Sequence, residues 1–207
     1  MSNSLIILLH GVGARGADLA SLGLSWRATL PDTAVVAPDA PFPFDQGGAG
    51  RQWFSVNGVT EANRPSRITD ARPAFDATIA ALIAEHGLTV RPERVAFVGF
   101  SQGAIMALDA LASGRWPAAA VVAFAGRLAS PRPLAPAMAT PVLLLHGAAD
   151  RVIPADESAV AERQLRGLGV AVTREVLPGV GHAITPQGAA AAGAFLARQF
   201  AVDARHP

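Results

Sequence analysis

Val95-Ala96-Phe97-Val98 runs directly into Gly99-Phe100-Ser101-Gln102-Gly103, and Ala104-Ile105-Met106-Ala107-Leu108 follows without a break. The first four residues are apolar with no alternation, the pattern of a strand covered on both faces. From Gln102 to Ser113 the chain carries one charge, Asp109, and Gly114 follows. That pattern predicts a helix buried nearly all round and closed by a glycine cap. A strand, a glycine-flanked turn and an apolar helix form the setting of a nucleophile elbow. The two glycines let the backbone turn without a Cβ clash. The Ser101 hydroxyl would then project above the sheet at a helix N-terminus, where negative charge is favoured. The competing reading is a glycine-rich turn whose serine only caps the helix.

Working outward, Val/Ile/Leu-rich runs at Ser4–Leu9, Thr33–Ala37, Arg94–Gly99, Ala118–Ala125, Pro141–His146 and Val170–Leu177 read as buried strands. Helical segments fall between them at Ala17–Leu30, Ala71–Glu85, Gln102–Ser113, Asp156–Gly167 and Thr185–Phe200. Pro73 falls in the first turn of the second of these, Asp156 reads as a helix cap, and Thr185 followed by Pro186 reads as a helix start. Alternation of this kind predicts an α/β fold with a mainly parallel sheet. One long irregular stretch, residues 38–67, carries Pro41, Pro43, Gly47, Gly48 and Gly50 and reads as a binding loop.

Composition removes several classes of function. With 207 residues, 51% hydrophobic and 16% charged, the chain is expected to form one domain over 1–207 with a large core. Cysteine is absent, which excludes disulfides, thiolate zinc sites and a cysteine nucleophile. The formal charge is +1, and the 17 basic residues, all arginine, are scattered, so no basic face for nucleic acid is expected. No apolar run reaches the ~20 residues of a membrane helix, and no secretory signal is visible. Stable membrane insertion is therefore not expected, and the default compartment is cytoplasmic.

A serine nucleophile needs a base. Of the five histidines, His86 ends a helix beside Gly87, His206 lies in the terminal tail, and His10 and His146 each sit at a strand end before glycine. His182, in Gly179-Val180-Gly181-His182, occupies a loop between the last strand and the last helix, from which an imidazole can be aimed over the sheet edge. The acid that orients it is expected at Asp150, just past a strand end, against the plainer reading of a turn or a salt bridge to Arg151. The chain order Ser101, Asp150, His182 is that of α/β-hydrolases, and all three leave C-terminal strand ends, where open α/β sheets place their sites. The oxyanion hole should use the backbone N–H of Gln102 and one from Leu9-His10-Gly11-Val12-Gly13, assigned to Val12. Gly11 to Gly16 also matches G-x-G-x-x-G, a dinucleotide fingerprint, but Asp32 precedes the second strand instead of ending it.

Leu-Leu-His-Gly-Val-Gly (8–13), Gly-Phe-Ser-Gln-Gly (99–103), His-Gly-Ala-Ala-Asp (146–150) and Gly-His (181–182) resemble the phospholipase/carboxylesterase family of α/β-hydrolases, nearest its small bacterial serine esterases. Arg51-Gln52-Trp53-Phe54 resembles that family's Trp-Phe segment. The resemblance implies a triad of Ser101, Asp150 and His182, with Val12 and Gln102 as oxyanion donors. It places Trp53 and Phe54 near the acyl-binding groove, against the alternative of ordinary core aromatics. It also implies a six-stranded sheet in the order 2-1-3-4-5-6, no large lid domain and an open site. The expected activity is hydrolysis of small to medium acyl esters through an acyl-enzyme, without metal or cofactor, by a monomer or homodimer. Thioesterase or lysophospholipase activity is the alternative within the family. Departures are Ala14 and Arg15, where many relatives carry an acidic residue, and Ala148 and Ala149, which leave Asp150 as the lone acid of its motif.

Overall fold

A computed structural model describes residues 3–203, so His206 lies outside the described residues. In chain order the strands are β1 (Ser4–Leu9), β2 (Thr33–Val36), β3 (Phe42–Pro43), β4 (Arg51–Gln52), β5 (Val95–Phe100), β6 (Ala120–Phe124), β7 (Val142–Gly147) and β8 (Val172–Leu177). The helices are α1 (Ala20–Ser25), α2 (Arg64–Glu85), α3 (Gln102–Ala112), α4 (Asp156–Arg166) and α5 (Pro186–Asp203). Six strands form one parallel sheet in the order β2-β1-β5-β6-β7-β8. This is the expected 2-1-3-4-5-6 order once the small β3–β4 hairpin, a separate antiparallel pair, is set aside.

The central strands β1, β5, β6 and β7 are almost wholly apolar because both faces are covered, whereas the edge strand β8, expected to be buried, exposes Thr173 and Glu175. Leu5, Ile7 and Leu9 of β1 face a core shared with α2, α3 and α4. Ile6 and Leu8 face the other, shared with α1 and α5 through Leu22, Trp26, Phe195 and Leu196. Each such side chain contributes about 1.5–3 kcal/mol of burial. All eleven residues of α3 are buried, as its single charge predicted. That charge, Asp109, accepts a two-pronged bond from Arg72 of α2 (2.9 and 2.8 Å) and another from Arg115 (3.0 Å).

Several boundaries differ from the sequence reading. Helix α2 begins at Arg64, seven residues before the expected start, so Pro73 is inside the helix and Pro65 occupies the first turn. The early turns were hidden because Arg64, Ser66, Arg67, Thr69 and Asp70 are polar and only Ile68 and Ala71 face the core. The stretch 38–67 is therefore not wholly irregular: it contains the hairpin and the first residues of α2. The expected helix 17–30 is a short 3₁₀ turn, Gly16–Leu19, followed by α1. No long helix begins at Gly11–Gly16, which removes the helix N-terminus that a dinucleotide pyrophosphate needs. Asp156 is the first residue inside α4, not its cap, which is Ala155.

Candidate active site

Parallel pairing brings the C-terminal ends of β1, β5, β7 and β8 to one edge of the sheet. At the end of β5, Ser101 has φ 53° and ψ −114°, a conformation that costs a non-glycine residue roughly 1–3 kcal/mol. The turn is held by Ser101 N–H donating to Phe124 O (2.9 Å) and Ile105 N–H donating to Ser101 O (3.1 Å). Both flanking glycines are required by space. A Cβ on Gly99 would lie 2.4 Å from Ala104 N, and one on Gly103 would lie 2.0 Å from Leu9 O. The Ser101 hydroxyl makes no capping bond to α3. It lies 2.9 Å from His182 Nε2 instead, which removes the capping-serine alternative.

His182 stands on the loop after β8, and its Nδ1 is 2.7 Å from Asp150 Oδ2. Gly147, at the end of β7, lets that loop come close: a Cβ there would meet the Val180 and Gly181 carbonyls at 2.3 Å. The Asp150 side chain is fully buried, and its Oδ1 accepts the N–H groups of Val152 (2.8 Å) and Ile153 (3.0 Å). Burial pushes the Asp150 carboxyl up, but the His182 bond and these two N–H bonds outweigh it and leave its pKa below the ordinary value. An ionised Asp150 accepts a hydrogen bond from the Nδ1–H of His182, which leaves Nε2 unprotonated and able to accept the Ser101 hydroxyl proton. Phe100 lies against the imidazole with ring centroids 4.9 Å apart.

The loop after β1 supplies the other half of the site. A Cβ on Gly11 would lie 3.4 Å from Ser101 Cβ, so this backbone passes beside the Ser101 side chain. The N–H groups of Val12 and Gln102 have no hydrogen-bond partner among the described residues, while that of Gly13 donates to Arg51 O (2.8 Å). Free N–H groups beside a serine at a helix N-terminus can receive a developing oxyanion. Arg15 pairs with Asp39 (2.7 Å), whose other oxygen accepts Gly16 N–H (2.8 Å), closing the loop.

Three residues have structural parts that the sequence did not announce. His10 is buried; Ala40 N–H donates to its Nε2 (2.9 Å), and its Nδ1 donates to Gly11 O (2.7 Å). Burial holds its pKa below the ordinary value, so the ring is neutral and ties two loops together. The Gln102 side chain accepts Trp53 N–H (2.8 Å) and donates to Phe54 O (2.7 Å). Trp53 falls on the core side of the two readings offered for it. It is fully buried, packed edge-on to Phe75 at 5.5 Å, with its indole N–H donating to His10 O (3.0 Å), so it does not line an open groove. Phe54 lines a cavity of ≈ 410 Å³ with Phe42, Pro43 and Ala71, between the β3–β4 hairpin and α2. None of Ser101, Asp150 and His182 lies on its wall. Sequence could have pointed to His10 and Gln102 only through polar side chains placed where every neighbour is buried. Among the described residues, no group of His, Asp and Glu is arranged to hold a metal ion, and no helix is long and apolar enough to cross a membrane.

Comparison with known proteins agrees with this architecture. The phospholipase/carboxylesterase family profile matches residues 1–199. The chain is 38% identical to the esterase YpfH of Escherichia coli (strain K12), over 88% of this chain and 77% of that one. It is 26% identical to acyl-protein thioesterase 1 of Gibberella zeae, over 94% and 89% of the two chains. The crystal structure of esterase PE8 superposes with a TM-score of 0.86 at 37% identity, covering 95% of this chain and 93% of that one.

Proposed function

The chain belongs to the phospholipase/carboxylesterase family, and from that premise we propose that it is a serine carboxylesterase that hydrolyses small to medium acyl esters through an acyl-enzyme. The observation that carries the reading is the hydrogen-bonded line Ser101–His182–Asp150, at 2.9 and 2.7 Å, with the serine hydroxyl released from capping. In this reading Ser101 Oγ attacks the ester carbonyl carbon as its proton passes to His182 Nε2. The carbonyl oxygen becomes an oxyanion held by the N–H groups of Val12 and Gln102, with the α3 N-terminus adding its dipole. The intermediate collapses, the carbon–oxygen bond to the leaving alcohol breaks, and His182 returns the proton to that oxygen. A water repeats the sequence on the acyl-enzyme and frees the acid and Ser101. Asp150 stays ionised throughout and keeps the imidazole in the working tautomer. Phe54 would contact an acyl chain only where that chain extends from Ser101 into the cavity between the hairpin and α2. The enzyme acts as one domain without a large lid, and no step calls for a cofactor.

The test is Ser101→Ala. It should abolish both ester hydrolysis and labelling by a fluorophosphonate, with kcat lowered by roughly 10⁶ and the fold retained. Activity within about tenfold of wild type would remove Ser101 as the nucleophile. Similarity to an acyl-protein thioesterase keeps one second reading open, and rates on matched oxygen and thiol esters separate the two.

A further inference from the structure

We propose that Trp53 is a positioning residue: a buried strut that sets the spacing between the two backbone N–H groups assigned above to the oxyanion hole. The inference rests on the serine-hydrolase reading. The two donors sit on separate segments, Val12 after β1 and Gln102 after β5. Trp53 bonds to both. Its backbone N–H donates to Gln102 Oε1 (2.8 Å), and its indole N–H donates to the carbonyl of His10 (3.0 Å), two residues before Val12. The neighbouring carbonyl of Phe54 accepts Gln102 Nε2 (2.7 Å), so the amide is clamped at both ends. The indole cannot tilt away, because Phe75 packs edge-on to it at 5.5 Å and the His10 ring lies 5.6 Å from it.

Packing and bonding divide the task. At Gly103 the two segments pass so closely that a Cβ would overlap the Leu9 and His10 carbonyls, so backbone packing sets their near limit. The Trp53 bonds hold them against that contact and resist separation. All the groups are buried, so water is poorly placed to replace a lost bond. An oxyanion hole works only with donors about 2.7–3.1 Å from the charged oxygen, a tolerance of a few tenths of an ångström. Loosening the strut should therefore weaken transition-state binding more than ground-state binding, and lower kcat at nearly constant KM.

The experiment assays wild type, Trp53→Phe, Gln102→Met, the double variant and Leu196→Ala on one short p-nitrophenyl ester. A trifluoromethyl ketone serves as inhibitor, since its adduct with Ser101 puts an oxyanion in the hole, and each protein is melted. Leu196 is fully buried in the core on the opposite face of the sheet. Trp53→Phe should lower kcat by about ten- to a hundredfold, with KM within about twofold and inhibitor affinity falling in step with kcat. Gln102→Met, which keeps both backbone N–H groups and the indole, should behave alike. The double variant should be no worse than about the weaker single, since both cut one strut. Leu196→Ala should lose melting temperature and leave kcat within about twofold. The proposal is overturned if Trp53→Phe keeps kcat within about twofold, if the inhibitor binds it as before, if the two losses multiply, or if Leu196→Ala loses as much kcat. Should Trp53→Phe fail to fold, Gln102→Met carries the same comparison alone. An active wild type with unaffected variants removes the strut only. A wild type with neither hydrolysis nor fluorophosphonate labelling removes the serine-hydrolase reading and the strut with it.

Discussion

Gly103→Ala tests whether the geometry around Ser101 depends on backbone contact. A Cβ built on Gly103 lies 2.0 Å from Leu9 O, 2.4 Å from Leu9 C and 2.7 Å from His10 O. A relaxed carbon–oxygen contact is about 3.3 Å, so the first turn of α3 and the end of β1 must part by roughly 1 Å. Neither side can yield cheaply. Leu9 is paired to Gly99 in the sheet, and α3 is buried on every side. The strain should cost about 1–3 kcal/mol of stability. The functional loss should be larger in proportion, because the displacement separates the Gln102 N–H from the Val12 N–H, and a 1 Å misplacement is worth about a hundredfold in rate. The assay is kcat on a short-chain ester, with circular dichroism to confirm folding and a melt for stability. Gly181→Ala is the stability control: it lies beside His182 in the chain, yet a Cβ there meets nothing within 4 Å. Its melt should move by no more than about 0.5 kcal/mol. A folded Gly103→Ala with kcat within about tenfold of wild type would refute the reasoning, since backbone contact would not then be setting the site.

Three further outcomes rest on the acid of the proposed triad and on two buried ionisable groups. Asp150→Asn should lower kcat about 10⁴-fold by favouring the wrong imidazole tautomer, whereas Asp156→Asn, one residue inside α4, should leave the rate unchanged. Equal losses in a side-by-side assay would mean the acid is misassigned. His10 is buried neutral with its pKa lowered, so the unfolded chain takes up its proton first as pH falls below about 6.5. Stability from this group is full above that pH and declines beneath it, and a melting series from pH 7 to pH 5 should lose that slope in His10→Gln. Burial raises the Asp109 carboxyl and the Arg72 and Arg115 bonds lower it further, leaving a net depression. Its contribution is therefore present above about pH 3.9 and lost as pH falls through the folded value. Asp109→Asn should cost about 1–3 kcal/mol in denaturant unfolding at neutral pH, because Arg72 loses its carboxylate while Arg115 keeps Asp76.

The parts of the fold that were legible share a cause. Strands covered on both faces must be apolar at every position, and a helix buried all round must be nearly uncharged, so β1, β5, β6, β7 and α3 declared themselves. The first turns of α2 did not, because only Ile68 and Ala71 in them reach the core. Glycine was readable at 99 and 103, where a turn demands it. The reason for Gly103, contact with the end of β1, lies 94 residues away in the chain and is invisible locally. Trp53 shows the limit from the other side. Its motif marked it as significant, but a tryptophan in a Trp-Phe pair reads equally well as groove or core. Only its hydrogen bonds to His10 and Gln102 separate the two.

The proposed choice of His182 as base rests on geometry that spacing along the chain does not supply. Two histidines reach the same carboxylate oxygen: His182 Nδ1 at 2.7 Å and His146 Nε2 at 3.4 Å from Asp150 Oδ2. His146 Nε2 is also 2.8 Å from the Ile153 carbonyl, and its side chain is 1% exposed, so its proton has a carbonyl to bond and no path to a substrate. The His182 side chain is 17% exposed, and its second nitrogen faces Ser101 Oγ. A base must meet the acid on one nitrogen, the nucleophile on the other, and have room for a leaving group beside it. Position at a strand end before glycine is common to His10 and His146 and made neither one a base. What distinguishes His182 is that Gly147, at the end of β7, leaves room for the loop after β8 to lean across β7 toward β5. The sheet order therefore underlies the proposed triad: with β7 lying between β8 and β6, Asp150 and His182 arrive from adjacent strands, and Ser101 arrives from the next strand but one.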